Sequence, residues 1–161
     1  MYLSVVLRPK VSLEKTSLLS FVAALAVAKT ITTYGVPAVI KWPNDVRVNG
    51  RKIAGILLES EGGGPQIDYV VVGIGINLAV DPKRLSAEIQ GRSTSLSNEQ
   101  PHPVDYHDFL QTFFLMFQKG YDGRHGLLIL QIPQNLKGGN QDYIIFYSQE
   151  GKKGFNRLTI F

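Results

Sequence analysis

Five charged side chains, Lys41, Asp45, Arg47, Arg51 and Lys52, crowd the stretch KWPNDVRVNGRKIAGILLES at residues 41–60. A strand pair with one buried face does not need that density of charge. Lys52 is followed at once by the apolar run IAGILLE, so it stands at the rim of a core. Pro43, Asn44 and Asp45 build a rigid polar turn beside it. A lysine is a compact point charge, and at the edge of an apolar cavity next to a fixed turn it can clamp a carboxylate or a phosphate. The alternative is a solvated outer face whose ion pairs contribute little.

Asn49-Gly50, flanked by two β-rich runs, is a strong hairpin signal. A two-residue turn pairs Val48 with Arg51, Arg47 with Lys52, Val46 with Ile53 and Asp45 with Ala54. Alternation then puts Asp45, Arg47, Lys52, Ala54 and Ile56 on one face, and Val46, Val48, Arg51 and Ile53 on the other. Arg47 faces Lys52, which is unfavourable unless an anion or a carboxylate lies between them.

Gly73 and Gly75 sit in GIGIN, at the end of an apolar run. Glycines in a strand mark close backbone approach or a bulge. A packed helix or a flat ligand could make that approach, and Asn77 offers a donor and an acceptor at its end. A dinucleotide-fingerprint reading is weak, because no third glycine follows at the required spacing and no helix opens there. SEGGGP at residues 60–65 reads as a flexible loop and lacks the Gly-Lys-Ser/Thr ending of a phosphate loop. His102, His107 and His125 have no ligand spacing and read as surface residues. Trp42 and the phenylalanine stripe Phe109, Phe113 and Phe117 read as core.

The elements that must position these residues follow from periodicity. YLSVVL reads as a strand, residues 13–34 as one long buried helix stopped at Gly35, and AVIKW as a short strand broken by Pro43. The hairpin and the YVVVGIGINL strand come next. Residues 81–103 read as a polar connection with a short helix, and VDYHDFLQTFFLMFQKG as an amphipathic helix ending near Gly120. Beyond Gly126, DYIIFYS and FNRLTIF read as two strands around QEGKKG. This order argues for an α+β domain.

The chain has 161 residues, 44% hydrophobic and 19% charged, with a net charge of +4, the profile of a globular domain. Its basic residues are dispersed, which permits an anionic small molecule but does not mark a nucleic-acid binder. With no cysteine, disulfides, thiolate metal sites and a cysteine nucleophile are excluded. The opening residues lack a signal-peptide pattern, and the apolar segment at residues 18–28 is about half a bilayer span. The expected compartment is the cytoplasm, with no membrane partner.

Together, KWPNDVRVNGRKIAGILLE and VVVGIGINL resemble the catalytic core of biotin–protein ligases, the enzymes that attach biotin to a carboxylase carrier domain. The compound signature is Lys-Trp-Pro-Asn-Asp, a lysine seven residues after the aspartate, Ala-Gly after it, and Gly-x-Gly-x-Asn on the next strand. The resemblance covers residues 2–78 well, and extends through the helix ending near Gly120.

The resemblance implies a mixed β-sheet packed on helices, followed by an SH3-like barrel. Residues 1–122 are then expected to be a partial catalytic domain, and 123–161 a tail or an incomplete start of that barrel. It implies ATP, biotin and Mg²⁺ as cofactors and a biotin carboxyl carrier protein as acceptor, and it admits a homodimer. Lys52 takes the catalytic position on the biotin carboxylate and the α-phosphate, with Asp45 orienting it or accepting a proton. Asn44 lines the same site, Lys41 assists with phosphates, and Gly55, Gly73 and Gly75 let the ligand approach the backbone. Asn77 reaches the nucleotide phosphates, and no protein metal site is expected. The family pattern places a Gly/Arg-rich loop before the strand at which this chain begins, so the chain alone is expected to be impaired. The alternative is a non-catalytic ligand-binding or interaction fragment on the same scaffold.

Overall fold

The structure, a computed structural model, describes residues 1–9, 13–63, 67–81, 83, 85–121 and 142–146. Its elements are β1 (Tyr2–Leu7), α1 (Leu13–Thr33), β2 (Val39–Lys41), β3 (Asp45–Val48), β4 (Arg51–Glu61) and β5 (Tyr69–Ile76), then α2 (Ala87–Gln90), α3 (Leu96–Glu99), α4 (Tyr106–Gly120) and β6 (Asp142–Phe146). The strands lie in the order β2-β3-β4-β5-β1-β6. β6 runs parallel to β1 and every other neighbouring pair is antiparallel. This is a mixed sheet packed on helices, the α+β class expected.

Alternation decides which face is covered. Val70, Val72, Ile74 and Ile76 of β5 are buried, while Val71, Gly73 and Gly75 between them are only partly covered. Leu3, Val5 and Leu7 of β1 and Val46 and Val48 of β3 join the buried face. Against it pack Ala23, Ala24, Val27 and Ile31 of α1, and α4 packs in turn on α1, with Phe109, Phe113 and Phe117 in the same core. Burying each such phenylalanine contributes about 1.5–3 kcal/mol. Asp105 caps α4, accepting from His107 N at 2.8 Å and Asp108 N at 3.0 Å. That satisfies two of the orphan donors at the helix start. The opposite face of the sheet carries no helix among the described residues.

α1 ends where expected, with Gly35 at φ 77° supplying the left-handed residue past its last turn. It is more one-sided than its composition suggests, since Leu18 and Phe21 are exposed. Its apolar window is also longer than residues 18–28. Thr16–Thr33 is long and apolar enough to cross a membrane by length and composition, and half of it is buried within the protein. Its threonines hide their hydroxyls on the helix itself, as Thr30 Oγ1 donates to Ala26 O at 2.8 Å. Packing on the sheet and α4 gives it the place of a core helix.

Trp42 is not in the core. It is 80% exposed, in the turn after β2, at the edge of the sheet where no element covers it among the described residues. The Trp42–Pro43 peptide is cis. The polar connection holds two short helices, α2 and α3, rather than one. Of the two strands expected near the C-terminus, the first is β6, which lies in the main sheet. The second, and the rest of the expected barrel segment at 123–161, lie outside the described residues.

Candidate functional site

The hairpin turns at Asn49-Gly50, with φ of 50° and 76°. These are the positive values that a tight hairpin turn requires. Val48 pairs with Arg51 and Arg47 with Lys52, as a two-residue turn demands. Beyond them the register slips by one, so that Val46 faces Ala54 and Asp45 faces Gly55. The extra residue in β4 is Ile53, and this bulge corrects the expected faces. Ile53, Ala54 and Ile56 are all buried, and Gly55 takes the outer position expected for Ala54. The bulge lets β4 sink three apolar side chains while Lys52 still faces outward.

One row of paired residues then crosses the open face. Lys41 pairs with Asp45, Asp45 with Gly55, Gly55 with Gly75, and Gly75 with Tyr2. Two residues further along, Leu57, Gly73 and Ser4 make a parallel row on the same face. Gly55, Gly73 and Gly75 therefore floor a shallow trough. Asp45 and Lys52 stand at one side, Tyr2 at the other, and Leu57 in the next row. Three strand spacings separate Asp45 from Tyr2, about 14 Å. The missing side chains leave space above the backbone that the Lys52 ammonium, over Gly55, and the Tyr2 ring, beside Gly75, partly fill.

Lys52 Nζ lies 2.6 Å from Asp45 Oδ1, and Arg47 Nη2 lies 3.9 Å from Asp45 Oδ2. Asp45 is thus the carboxylate that makes the Arg47–Lys52 pairing tolerable. At the hairpin end of this face Lys41, Arg47 and Lys52 outnumber Asp45, a local positive surplus for an anion, while Glu59 and Glu61 lie further along β4 on the same face. As a partly exposed pair, Lys52–Asp45 contributes at most about 1 kcal/mol to folding. Its stronger effect is to hold the ammonium at the trough.

The asparagines are tied to the scaffold. Asn44 Nδ2 donates to Ile56 O at 2.8 Å, and Ile56 N donates back to Asn44 O, so the Pro43–Asn44 turn is locked to β4. Asn77 Nδ2 donates to Thr94 O at 3.0 Å, at the end of β5. The Lys52 backbone is held on both sides, its N–H donating to Arg92 O and its carbonyl accepting from Thr94 N. Arg51, adjacent in the strand and facing the other way, reaches Glu99 at 2.7 Å.

Tyr2, Ser4 and Leu57 were not singled out from the sequence. Their signal is the alternation within YLSVVL and IAGILLE, readable only once β1, β4 and β5 are known to be neighbours. Among the described residues, no group of three or more His, Cys, Asp or Glu could hold a metal ion.

Residues 1–77 match the model of the biotin/lipoate A/B protein ligase family. The chain is 37% identical over 121 residues to the bifunctional ligase/repressor BirA of Bacillus subtilis, covering 74% of this chain and 37% of that protein. It is 46% identical over 111 residues to the biotin–[acetyl-CoA-carboxylase] ligase of Paracoccus denitrificans, covering 66% of this chain and 46% of that protein. The apo structure of the biotin protein ligase from Aquifex aeolicus superposes with a TM-score of 0.64 at 28% identity, over 77% of this chain and 53% of that one. The same ligase in complex with biotin and ATP superposes with a TM-score of 0.56 at 25% identity, over 71% and 49%. The chain spans less than half the length of these two sequence relatives and about half that of the solved structure. The match to the biotin/lipoate A/B protein ligase family thus falls on residues 1–77, which carry the whole charged hairpin and the glycine strand, and these sequence relatives and solved structures are biotin ligases to which the chain is similar.

Proposed function

We propose that the trough holds biotin and ATP, forms biotinyl-5′-adenylate, and presents it to a lysine of a biotin carboxyl carrier protein. In the first step a biotin carboxylate oxygen bonds to the α-phosphorus of ATP, the bond to the bridging oxygen breaks, and pyrophosphate leaves. In the second, the carrier amine attacks the acyl carbon, AMP leaves with the bonding electrons, and the amine loses a proton. Two anions must meet in the first step. A fixed cation between them lowers their repulsion and stabilises the charge developing on the phosphoryl oxygens.

The observation that carries this reading is the Lys52 ammonium, 2.6 Å from Asp45 at the border of a glycine floor. Lys52 bridges the carboxylate and the α-phosphate, and Asp45 keeps its ammonium in place between turnovers. Lys41, on the same row, adds positive charge for the phosphates. Bound with the nucleotide, Mg²⁺ would neutralise phosphate charge, since it binds through phosphates with one or two carboxylates and keeps several waters. Asp45 is the carboxylate on the row that would hold it, through the oxygen not paired with Lys52.

The test is biotin-dependent exchange of labelled pyrophosphate into ATP, followed by transfer to a carrier domain. Exchange in the wild type and its loss in Lys52→Ala are expected. A second reading, ligand binding without turnover, is favoured by the openness of the row, where Lys52 is 45% exposed. Binding of biotinyl-adenylate with no exchange would replace the first reading by the second.

A further inference from the structure

We infer that Glu99 is a positioning residue for Lys52, acting from the opposite face of the hairpin; the inference rests on the proposed role of Lys52. Glu99 lies 48 residues from Arg51, its side chain is 5% exposed, and it receives three donors. Arg51 Nη2 donates to Oε1 at 2.7 Å and Asn49 Nδ2 to Oε2 at 2.9 Å. The Thr94 hydroxyl donates to Oε1. Asn49 belongs to the hairpin turn, Arg51 precedes Lys52, and Thr94 N holds the Lys52 carbonyl at 2.9 Å. Three of the groups that set where Lys52 leaves the backbone therefore converge on one buried carboxylate.

The same segment reaches the glycine strand. Thr94 O accepts from Asn77 Nδ2, and Leu96 N donates to Asn77 O at 2.9 Å. Residues 92–99 thus brace the start of β4 against the end of β5, which are the cation and the floor of the trough. Successive residues of a strand point to opposite faces. Arg51 can consequently be gripped from behind while Lys52 remains free to meet Asp45 and a ligand. A mere stabilising pair could sit anywhere on the hairpin, whereas this one grips the residue next to the cation. A shift of about 1 Å at such a group is enough to cost about a hundredfold in rate.

The test uses the full chain with Glu99→Gln, Arg51→Met, the double variant, and Glu88→Gln on exposed α2 as control. Glu99→Gln loses the charge on Arg51 and keeps one of the two acceptor oxygens, so it can still accept from Arg51 and Thr94 but not from Asn49 as well. The expected result is a folded protein in which kcat for pyrophosphate exchange falls about tenfold while KM for ATP stays within about twofold. The Lys52 ammonium signal in nitrogen-15 NMR also shifts, reporting a changed Asp45 contact. Arg51→Met gives a similar loss, and the double variant loses no more than either single one. If Glu99→Gln fails to fold, Arg51→Met, at a half-exposed side chain, carries the same readouts. An unchanged Lys52 signal and unchanged kcat in a folded variant would overturn the inference, as would additive losses of about a hundredfold. Absence of exchange in the wild type overturns the ligase reading instead, and the Lys52 signal alone then decides the positioning role.

Discussion

A Cβ built on Gly55 falls 3.0 Å from both Cε and Nζ of Lys52. The glycine therefore vacates the space that the ammonium occupies beside Asp45. The close contact is with the far end of a flexible side chain, so an alanine here pushes the ammonium aside by a few tenths of an ångström and leaves the backbone alone. Gly55→Ala is expected to keep its melting temperature within about 4 °C, a change of under about 1 kcal/mol. It is expected to weaken biotinyl-adenylate binding about tenfold, or about 1.4 kcal/mol. Calorimetric titration beside a thermal melt checks both; a large loss of stability with intact affinity would contradict the displacement.

Removing the ammonium is a harsher change. Lys52→Ala deletes a charge-assisted hydrogen bond to the ligand, and affinity for biotinyl-adenylate should fall by about 1.5–3 kcal/mol. Lys52→Arg should not restore it, because a planar fork cannot take the place of a point charge against Gly55. Equal affinity for wild type and Lys52→Ala in titration calorimetry would remove Lys52 from the site.

Gly75 separates room for a ligand from room for the fold. A Cβ there meets the Tyr2 ring at 3.6 Å, an ordinary contact, so the sheet tolerates it. Gly75→Ala is thus expected to fold normally and to raise the KM for biotin, because it puts a methyl group on the trough floor. An unchanged KM in a folded variant would mean that the ligand does not lie on this strand.

Stability rests on the helical side. Phe113 is fully buried, with its ring centroid 5.3 Å from that of Phe114 and 5.7 Å from that of Phe117. Phe113→Ala should cost about 3–5 kcal/mol in urea unfolding. A cost below about 1 kcal/mol would show that α4 is not part of the cooperative core.

The turn, the facing of Asp45 and Lys52, and the class of fold could all be read in the sequence, because each is written locally. Asn49-Gly50 dictates its backbone, and parity along the strands places both charges outward under either register. The bulge at Ile53 could not be read. Ile53-Ala54 is apolar on both sides of the slip, so periodicity accepts either pairing, and only packing against α1 selects one. Glu99 left no local trace at all. It is a single acidic residue in a polar connection, and its meaning comes from a contact spanning 48 positions. Trp42 misleads for the opposite reason, since its composition says core and its place at the sheet edge says otherwise.

The acyl-adenylate is a mixed anhydride, and its survival depends on exclusion of solvent. On the described surface the trough lies open. Lys52 is 45% exposed and Tyr2, its far wall, 70%. A single fixed cation aids formation of the adenylate but does not shield it, so hydrolysis and escape compete with attack by the carrier amine. With ATP and biotin but no carrier, this chain is expected to release AMP continuously rather than in one burst. With carrier present, AMP should exceed biotinylated carrier, and raising the carrier concentration should close the gap, because the amine then outpaces water. Quantifying AMP against biotinylated carrier in the same reaction decides the matter. A ratio of one at low carrier, with no AMP in its absence, would show that the adenylate is sheltered and that the open trough is not the state in which chemistry occurs.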